Sequence, residues 1–438
     1  MADAPLTQAE TDCILKPLAR FPLVALAVSG GPDSLALLHL SADFARRHGL
    51  PLPVALTVDH ALRPNARAEA ETVARVAHGM EVPHSILTWR HGHVDAAVQA
   101  RARVARYDLM AAYCTAHDIP ALVTAHHLDD QAETFLMRLM RGSGLDGLAA
   151  IPEKGCWAGV TLLRPLLEIP KGRLMATAEA AGLPFIADPS NEDPRFERVR
   201  LRGAMAALSE MGFEVNAIAR SARRLRRARA ALEAAADAFL DAHADRSPAG
   251  YASIDLRALL SAPEEVALRV LARVIGAVGG LSEPVRLAKL ESLLAGLQAA
   301  PDKAQTLGRC QIVPASDRLA VYREIRNAGL PRAELRPGER LLWDNRFQVE
   351  LDQVALQPVT VEALGRDGID TLGLPSGVPR LAAYALPVCR LSNGRLVLPR
   401  FLSDFPTDFS QGDGNGPAPL SRHEATVDCR VRFLWGLT

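Results

Sequence analysis

The feature that most limits how this chain can fold is an apolar run followed by a glycine turn and a helix pattern. Residues 23–28 are apolar without alternation, which predicts a strand buried on both faces, as in a parallel sheet. Ser29-Gly30-Gly31-Pro32-Asp33-Ser34 follows, and residues 35–48 carry apolar side chains at helical spacing. The sequence therefore predicts a strand, a tight turn and a helix, which together open an α/β fold.

The turn has the properties of a phosphate-binding loop. Its adjacent glycines allow a tight turn and a close approach of the backbone to a ligand. The amide groups at the start of the following helix attract anions. Ser29 and Ser34 add hydroxyl donors, and the Asp33 carboxylate is an oxygen ligand of the kind that Mg²⁺ takes alongside phosphate. The alternative is a tight turn without a ligand. The loop contains no lysine, so it is not a Walker loop, and it lacks a GxGxxG fingerprint.

The first 205 residues continue to alternate between strand and helix patterns. Strands are predicted at 54–58, 85–89 and 121–125, and helices follow at about 65–79, 95–117 and 130–141. This alternation predicts a doubly wound parallel sheet with right-handed crossovers. Ligands bind beyond the carboxyl ends of the strands in such sheets, which is where the polar segments at 29–34, 59–60 and 126–130 fall.

The rest of the chain changes character twice. Residues 206–300 are alanine-rich and helical in pattern, and residues 305–325 are typical of a hairpin. The last hundred residues alternate in several places and contain Asn393-Gly394, a strong hairpin turn. We therefore expect three domains: a catalytic α/β domain (1–205), a mainly helical middle domain with a terminal hairpin (206–330) and a small β-rich C-terminal domain (331–438).

A second polar segment lies at the end of a predicted strand. It reads AHHLDDQAET over residues 125–134, and it leads into a predicted helix. Asp130 and Glu133 are three residues apart, so they share one face of that helix. The alternative is an acidic first turn that offsets the helix dipole, worth about 0.3–1 kcal/mol.

A third segment is strongly basic. Residues 195–229 contain ten arginines and three glutamates. Such an excess suits a contact with the backbone of a nucleic acid. The alternative is a solvated helix face, since 45 of the 50 basic residues in this chain are arginine.

Composition limits the class of protein. The net charge is zero, so the whole chain has no basic excess. No run of 18 apolar residues occurs, which predicts that nothing crosses a membrane. The six cysteines are far apart in sequence and form no CxxC pair. We therefore expect a reduced, cytoplasmic protein without a cysteine-bound zinc or iron–sulfur cluster.

Six short motifs occur in order, all of them within the first 205 residues. They are SGGPDS at 29–34, DHALR at 59–63, AHHLDDQAET at 125–134, RLMRGSGLDGL at 138–148, RPLL at 164–167 and DPSNED at 188–193. The first resembles the SGGxDS pyrophosphate loop of the N-type ATP pyrophosphatases. The whole succession resembles the tRNA(Ile)-lysidine synthase family of that superfamily.

This resemblance implies an ATP-dependent ligase that modifies the wobble cytidine of an isoleucine tRNA with a CAU anticodon. ATP would adenylate the 2-carbonyl oxygen of the base, and free L-lysine would then displace AMP to give lysidine. The resemblance implies ATP binding by residues 29–34, with Asp33 as the Mg²⁺ ligand.

The remaining site residues also follow from the resemblance. Arg103 and Arg106 match a basic pair of the family and would steady the phosphates. Asp130 and Glu133 would bind the ammonium groups of lysine, and His126 lies close before them in the sequence. The oligomeric state stays open.

Two other functions fit part of the pattern. A tRNA thiolase of the same superfamily would activate a base similarly but normally needs cysteine pairs, which this chain lacks. A catalytically inactive, nucleotide-responsive RNA-binding protein would have no reason to keep Asp33, Asp130 and Glu133 together.

Overall fold

The computed structural model describes residues 3–62, 65–92, 98–185, 195, 197–326, 329–355, 357–401, 409–410 and 429–435. The chain forms two compact units, Met1–Arg229 and Ala230–Thr438. Arg63, the DPSNED motif and most of the 404–419 stretch lie outside the described residues. The predicted division into three domains stays a prediction.

The first unit is built on a six-stranded sheet. Its strands are β1 (Val24–Ala27), β2 (Val54–Asp59), β3 (His84–Thr88), β4 (Ala121–Val123), β5 (Lys154–Trp157) and β6 (Val160–Leu163). They are ordered β3-β2-β1-β4-β6-β5, and only β5 is antiparallel to its neighbour. The chain therefore leaves β1 in one direction and returns to its other side at β4. The crevice at the carboxyl ends of β1 and β4 is the topological switch point where such sheets bind ligands.

Nine α-helices begin in the described part of this unit. They are α1 (Gln8–Leu15), α2 (Pro32–Arg47), α3 (Ala66–Gly79), α4 (Val98–Ala116), α5 (Leu128–Met140), α6 (Leu145–Leu148), α7 (Lys171–Ala180), α8 (Glu197–Glu210) and α9 (Val215–His243). Separate apolar clusters cover the two faces of the sheet, one including Leu26 with Leu35 and Leu38, the other including Ala25 with Met110. Burial on both faces explains the unbroken apolar run.

The second unit begins with a sheet that the sequence only partly predicts. Its strands are β7 (Ala244–Ser247), β8 (Tyr251–Asp255), β9 (Gln305–Leu307), β10 (Cys310–Ala315) and β11 (Arg318–Arg323). The order is β7-β8-β11-β10-β9, so the predicted hairpin forms the centre of a wider antiparallel sheet. It packs with the helices α10 (Leu256–Ser261), α11 (Glu264–Gly279) and α12 (Leu287–Ala299).

The C-terminal part of this unit is β-rich, as predicted. Its strands are β12 (Ala333–Leu335), β13 (Arg340–Trp343), β14 (Phe347–Leu351), β15 (Val359–Ala363), β16 (Leu374–Pro375), β17 (Pro387–Arg390), β18 (Leu396–Val397), β19 (Arg400–Phe401), β20 (Phe409–Ser410) and β21 (Cys429–Phe433). The short helices are α13 (Gly365–Leu372) and α14 (Arg380–Ala383). Strands β17 and β18 are antiparallel around Gly394, whose φ of 82° suits the predicted turn. The predicted fold class, a parallel α/β domain followed by helices and a β-rich end, is confirmed.

Candidate active site

Hydrogen bonds of Ser29 and Ser34 stabilise the loop after β1. Gly30 has a φ of 90°, a conformation that only glycine adopts freely, and Gly31 lies just before α2. The Ser34 hydroxyl donates to the Gly31 carbonyl at 2.9 Å and accepts from the Ser29 amide at 3.1 Å. The chain is thereby closed around the start of α2, whose free amides suit a phosphate group.

The start of α5 is closed by a local bond of the same kind. His127 precedes the helix with extended backbone, and its amide donates to Asp130 Oδ2 at 3.1 Å. The Asp129 carboxylate accepts the backbone amide of Lys171 at 2.8 Å, which ties α7 to α5. Two helix starts, those of α2 and α5, therefore face the switch point of the sheet.

A cavity of about 600 Å³ lies between these two helix starts. Most of the residues predicted from the sequence line it: Ser29, Gly31, Pro32, Asp33, Ser34, Arg103, Arg106, His126 and Asp130. Gly30 shapes the loop behind the lining, and Glu133 is not part of it. Further residues also line the cavity. Glu69, Thr124, His127 and Lys171 are not among the predicted site residues, whereas Arg198 and Arg202 belong to the basic segment that is predicted to contact a nucleic-acid backbone.

His127 lies among three carboxylates. Its Nε2 atom is 3.6 Å from Asp33 Oδ2 and 3.5 Å from Asp130 Oδ2, and its Nδ1 atom is 3.6 Å from Asp129 Oδ2. Burial lowers the pKa of His127, but the carboxylates of Asp129, Asp33 and Asp130 more than offset this and raise its pKa to about 10. The protonated ring therefore holds Asp33 and Asp130 close together despite their like charge.

Its neighbour His126 is uncharged, whereas His127 is protonated. Burial lowers the pKa of His126 to about 3, with Arg164, Arg103 and Arg106 acting in the same direction against Asp130. Its Nδ1 atom lies 2.7 Å from the Thr124 hydroxyl. His126 is therefore neutral at physiological pH and offers the cavity a polar but uncharged ring.

Three guanidinium groups face the cavity without a carboxylate partner in the described part of the chain, those of Arg103, Arg106 and Arg198. The first two lie over the Tyr107 ring, with Cζ 5.3 and 5.5 Å from its centroid. Burial lowers the pKa of Arg106, and the neighbouring Arg103 and Arg198 add to this. Such uncompensated positive charge is suited to binding phosphates.

Glu133 does not line the cavity, although the sequence predicts that Glu133 and Asp130 together present a pair of carboxylates to a ligand. Its side chain is only 5% exposed, and Arg202 donates to both of its oxygens at 2.5 and 3.2 Å. Burial lowers the pKa of Arg202, but the hydrogen bonds and charge of Glu133, together with the charges of Asp130 and Asp33, outweigh burial and raise this pKa. Asp130 is therefore the carboxylate of the pair that lines the cavity, whereas Glu133 holds the cavity-lining Arg202. A role for Glu133 in lysine binding stays a prediction.

Lys171 could not be identified from local periodicity. It is the first residue of α7, where a positive charge is unfavourable to the helix dipole. It is also one of five lysines in a chain that otherwise uses arginine. The unusual residue type at a helix start was the available signal, and the structure places this residue in the cavity lining.

The basic segment divides into paired and unpaired arginines. Arg223 and Arg226 lie 2.9 and 3.7 Å from Glu168. Arg220, Arg224 and Arg227 are exposed and share one face of α9, and none has a carboxylate partner among the described residues. These last three define an arginine stripe.

The residues present fit a magnesium ion held jointly with phosphate. Asp33 Oδ1 is buried and has no hydrogen-bond partner among the described residues. No group of three or more His, Cys, Asp or Glu side chains in the described ranges could hold a metal ion by itself. One carboxylate together with phosphate oxygens is a common magnesium environment.

The cysteines do not contribute to this site. All six are free, and none lines the cavity. Cys389 and Cys429 lie 3.5 Å apart, but they are buried in the core of the C-terminal module. The cavity therefore has no thiol of the kind that a tRNA thiolase would use.

No helix in the described residues is long and apolar enough to cross a membrane.

The fold and this site define a PP-loop protein, and residues 6–209 match the family described as "PP-loop domain". A tRNA(Ile)-lysidine synthase from Methylobacterium nodulans is 50% identical over 276 residues, which are 62% of this chain and 80% of that protein. Another from Bradyrhizobium diazoefficiens is 40% identical over 349 residues, which are 72% of this chain and 96% of that protein. A third, from Bradyrhizobium sp. strain BTAi1, is 43% identical over 66% of this chain and 83% of that protein. The chain belongs to the tRNA(Ile)-lysidine synthase family.

Proposed function

We propose that this protein uses ATP to adenylate the wobble cytidine of an isoleucine tRNA with a CAU anticodon. The amine of free L-lysine then replaces AMP at the 2-carbon, and the product is lysidine. The membership of the family and the chemistry of the cavity both support this activity.

The observation that carries the proposal is the convergence of the two predicted segments on one cavity. Asp33 lies in the first turn of α2 and Asp130 lies in the first turn of α5, and both carboxylates lie within 3.6 Å of the same His127 nitrogen. A site for phosphates and a second cavity-lining carboxylate therefore share one crevice. This arrangement suits a reaction that first transfers a nucleotide and then admits a cationic amine.

In the first step, the 2-carbonyl oxygen of cytidine attacks the α-phosphorus of ATP. The bond from that phosphorus to the bridging oxygen breaks, and pyrophosphate leaves. The amides at the start of α2, with Arg103 and Arg106, would bind the charged phosphates and stabilise the charge that develops on them. Mg²⁺ held by Asp33 would supply further charge neutralisation and orient the phosphates.

In the second step, the neutral amine of lysine attacks the 2-carbon of the adenylated base. The carbon–oxygen bond breaks, AMP leaves with the former carbonyl oxygen, and the amine releases a proton. Asp130 would bind the other amino group of lysine in its ammonium form and thereby orient the neutral amine for attack. His126 is neutral, so it adds no positive charge that would repel the cationic substrate.

The arginine stripe supports a contact with the tRNA backbone. Within the described part of the chain, Arg220, Arg224 and Arg227 have no carboxylate to release before they bind phosphates, unlike Arg223 and Arg226. Binding through them would be largely independent of sequence, because phosphates carry no base identity. Such contacts would therefore not by themselves distinguish one anticodon from another.

Product analysis tests the proposal against its nearest rival. A CAU-anticodon isoleucine tRNA transcript is incubated with ATP and either lysine or a sulfur donor, and its nucleosides are analysed by mass spectrometry. We expect lysidine in the lysine reaction only. Thiolated nucleoside in the sulfur reaction would favour the thiolase, and unchanged tRNA in both would favour the inactive RNA-binding protein.

A further inference from the structure

A second cavity lies wholly within the second unit, apart from the residues that define the active site. Its volume is about 380 Å³, which is in the range of about 300–1,000 Å³ typical of ligand sites. It is lined by Gln311 of β10, Arg323 of β11, Ile325, the first two residues of α13, Leu381 of α14 and Tyr384. Nothing in the proposed reaction requires these residues.

The walls combine apolar surface, an aromatic ring and a free cation. Ile325 and Leu381 are 36% and 37% exposed, so two large aliphatic side chains remain accessible within one cavity. Tyr384, one of five tyrosines in the chain, is half-buried and supplies the aromatic ring of the lining. Arg366 is exposed and makes no ion pair within the described ranges. Arg323, in contrast, is fixed to Asp344 at 2.8 Å.

The chemistry of the lining excludes several ligands. Among the residues that the structure describes, the lining includes no carboxylate, histidine or cysteine, so it does not suit a metal ion or a cationic ligand. A purely apolar ligand would cover the half-buried Gln311 amide without giving it a partner, which is unfavourable, and would leave the charge of Arg366 unused. The lining favours a ligand with a flat ring, hydrogen-bonding edges and a negative charge.

We propose that this cavity holds one unpaired nucleotide of the tRNA. The base stacks on Tyr384 between the aliphatic side chains of Ile325 and Leu381, and Gln311 contacts its polar edge. Arg366, at the start of α13, binds the adjoining phosphate. Stacking on an aromatic side chain with an arginine on the phosphate is a common way of binding single-stranded RNA. The inference rests on the proposed function, because that function supplies the RNA.

The test measures the affinity of the full chain for a fluorescent CAU-anticodon isoleucine tRNA transcript. Tyr384→Leu removes the ring and keeps apolar volume, and we expect it to weaken binding about five- to a hundredfold. Arg366→Gln should weaken it about tenfold or more. Tyr384→Phe keeps the ring and should bind within about twofold of the unmodified protein.

The matched control is Arg380→Gln. Arg380 is also exposed and begins α14, but it is not among the lining residues of the cavity, so its loss should have little effect. Unchanged affinity in both Tyr384→Leu and Arg366→Gln would overturn the proposal, as would equal losses in Arg380→Gln and Arg366→Gln. Thermal unfolding of each variant identifies a loss of affinity that comes from misfolding. If Tyr384→Leu misfolds, the tRNA affinities of Tyr384→Phe and Arg366→Gln are compared instead, and equal affinities would overturn the proposal.

Two further measurements separate the sources of failure. Equilibrium dialysis with labelled CMP tests for a free nucleotide: binding that Arg366→Gln abolishes, with unchanged tRNA affinity, would assign the cavity to a free nucleotide and overturn the RNA proposal. Lysidine formation by the unmodified protein tests the proposed function. If lysidine forms and the cavity variants bind tRNA normally, only the inference about this cavity fails.

Discussion

Arg202 on α8 donates two hydrogen bonds, of 2.5 and 3.2 Å, to the buried carboxylate of Glu133 on α5. The two residues are 69 positions apart in sequence, yet this ion pair places the guanidinium in the wall of the active-site cavity. The pairing changes what each acidic residue of α5 is expected to do. Asp130 can meet a ligand directly, whereas Glu133 acts first through Arg202.

Removing the charge of Glu133 should therefore cost stability as well as activity. We expect Glu133→Gln to lower the free energy of unfolding by about 1–3 kcal/mol, because Arg202 is left partly buried without its anion. Urea unfolding of Glu133→Gln, Arg202→Gln and the double variant measures the coupling between the two side chains. Additive effects of the single changes would mean that the ion pair contributes no stability.

Asp130 should govern the lysine requirement. Asp130→Asn removes one charge-assisted contact with an ammonium group, and we expect the lysine concentration for half-maximal lysidine formation to rise about ten- to a hundredfold. ATP binding should change little. Asp43→Asn, which alters an exposed carboxylate on α2, is the control. A normal lysine requirement in Asp130→Asn would place the lysine site elsewhere.

Lys171 should act in adenylyl transfer. Its position at the start of α7 does not stabilise that helix, and its side chain lines the cavity. We expect Lys171→Gln to slow the transfer to tRNA about ten- to a hundredfold in single-turnover experiments without lysine. Lys154→Gln, an exposed change on β5, should leave that rate unaltered. Equal rates in both variants would exclude a role for the Lys171 ammonium group.

The arginine stripe makes a prediction about salt. Replacing Arg220, Arg224 and Arg227 by glutamine should make the negative slope of log K against log salt for tRNA shallower by about 2–3, since each phosphate contact contributes about −0.9. Replacing the paired Arg223 and Arg226 should change the slope less. If the two sets change it equally, or if neither does, the stripe is a solvated helix face.

His126 should be needed without setting the pH dependence. Burial lowers its pKa to about 3, so the ring is neutral throughout the range from about pH 5 to 9 and loses no proton there. We expect His126→Gln to lower the rate of lysidine formation and keep the shape of its pH profile. Loss of one limb of the profile in this variant would show that His126 titrates during the reaction.

Local patterns predicted the parts of the fold that depend on neighbouring residues. The run before Ser29 had no polar alternation, and β1 is covered by apolar clusters on both faces. Gly30 was predicted to turn the chain, and its φ of 90° explains why glycine is required. The starts of α2 and α5 at the carboxyl ends of β1 and β4 followed from the alternation of strands and helices.

The features that sequence reasoning missed depend on partners that lie far apart in the chain. Nothing in the spacing of Asp130 and Glu133 indicates that Arg202 binds one of them. Strands β7 and β8 are only four and five residues long and follow a 29-residue helix, so their pattern was obscured by the helical segment. Tertiary pairing, and not local propensity, decides both cases.

The fate of the α-phosphate of ATP tests the central claim most directly. The protein is incubated with a CAU-anticodon isoleucine tRNA transcript and ATP labelled at the α-phosphorus, first without lysine and then after lysine is added. We predict that label first becomes attached to the tRNA as pyrophosphate is released, and that lysine then releases it as AMP while lysidine forms. Label found in ADP, with orthophosphate as the other product and none attached to tRNA, would contradict the proposed function.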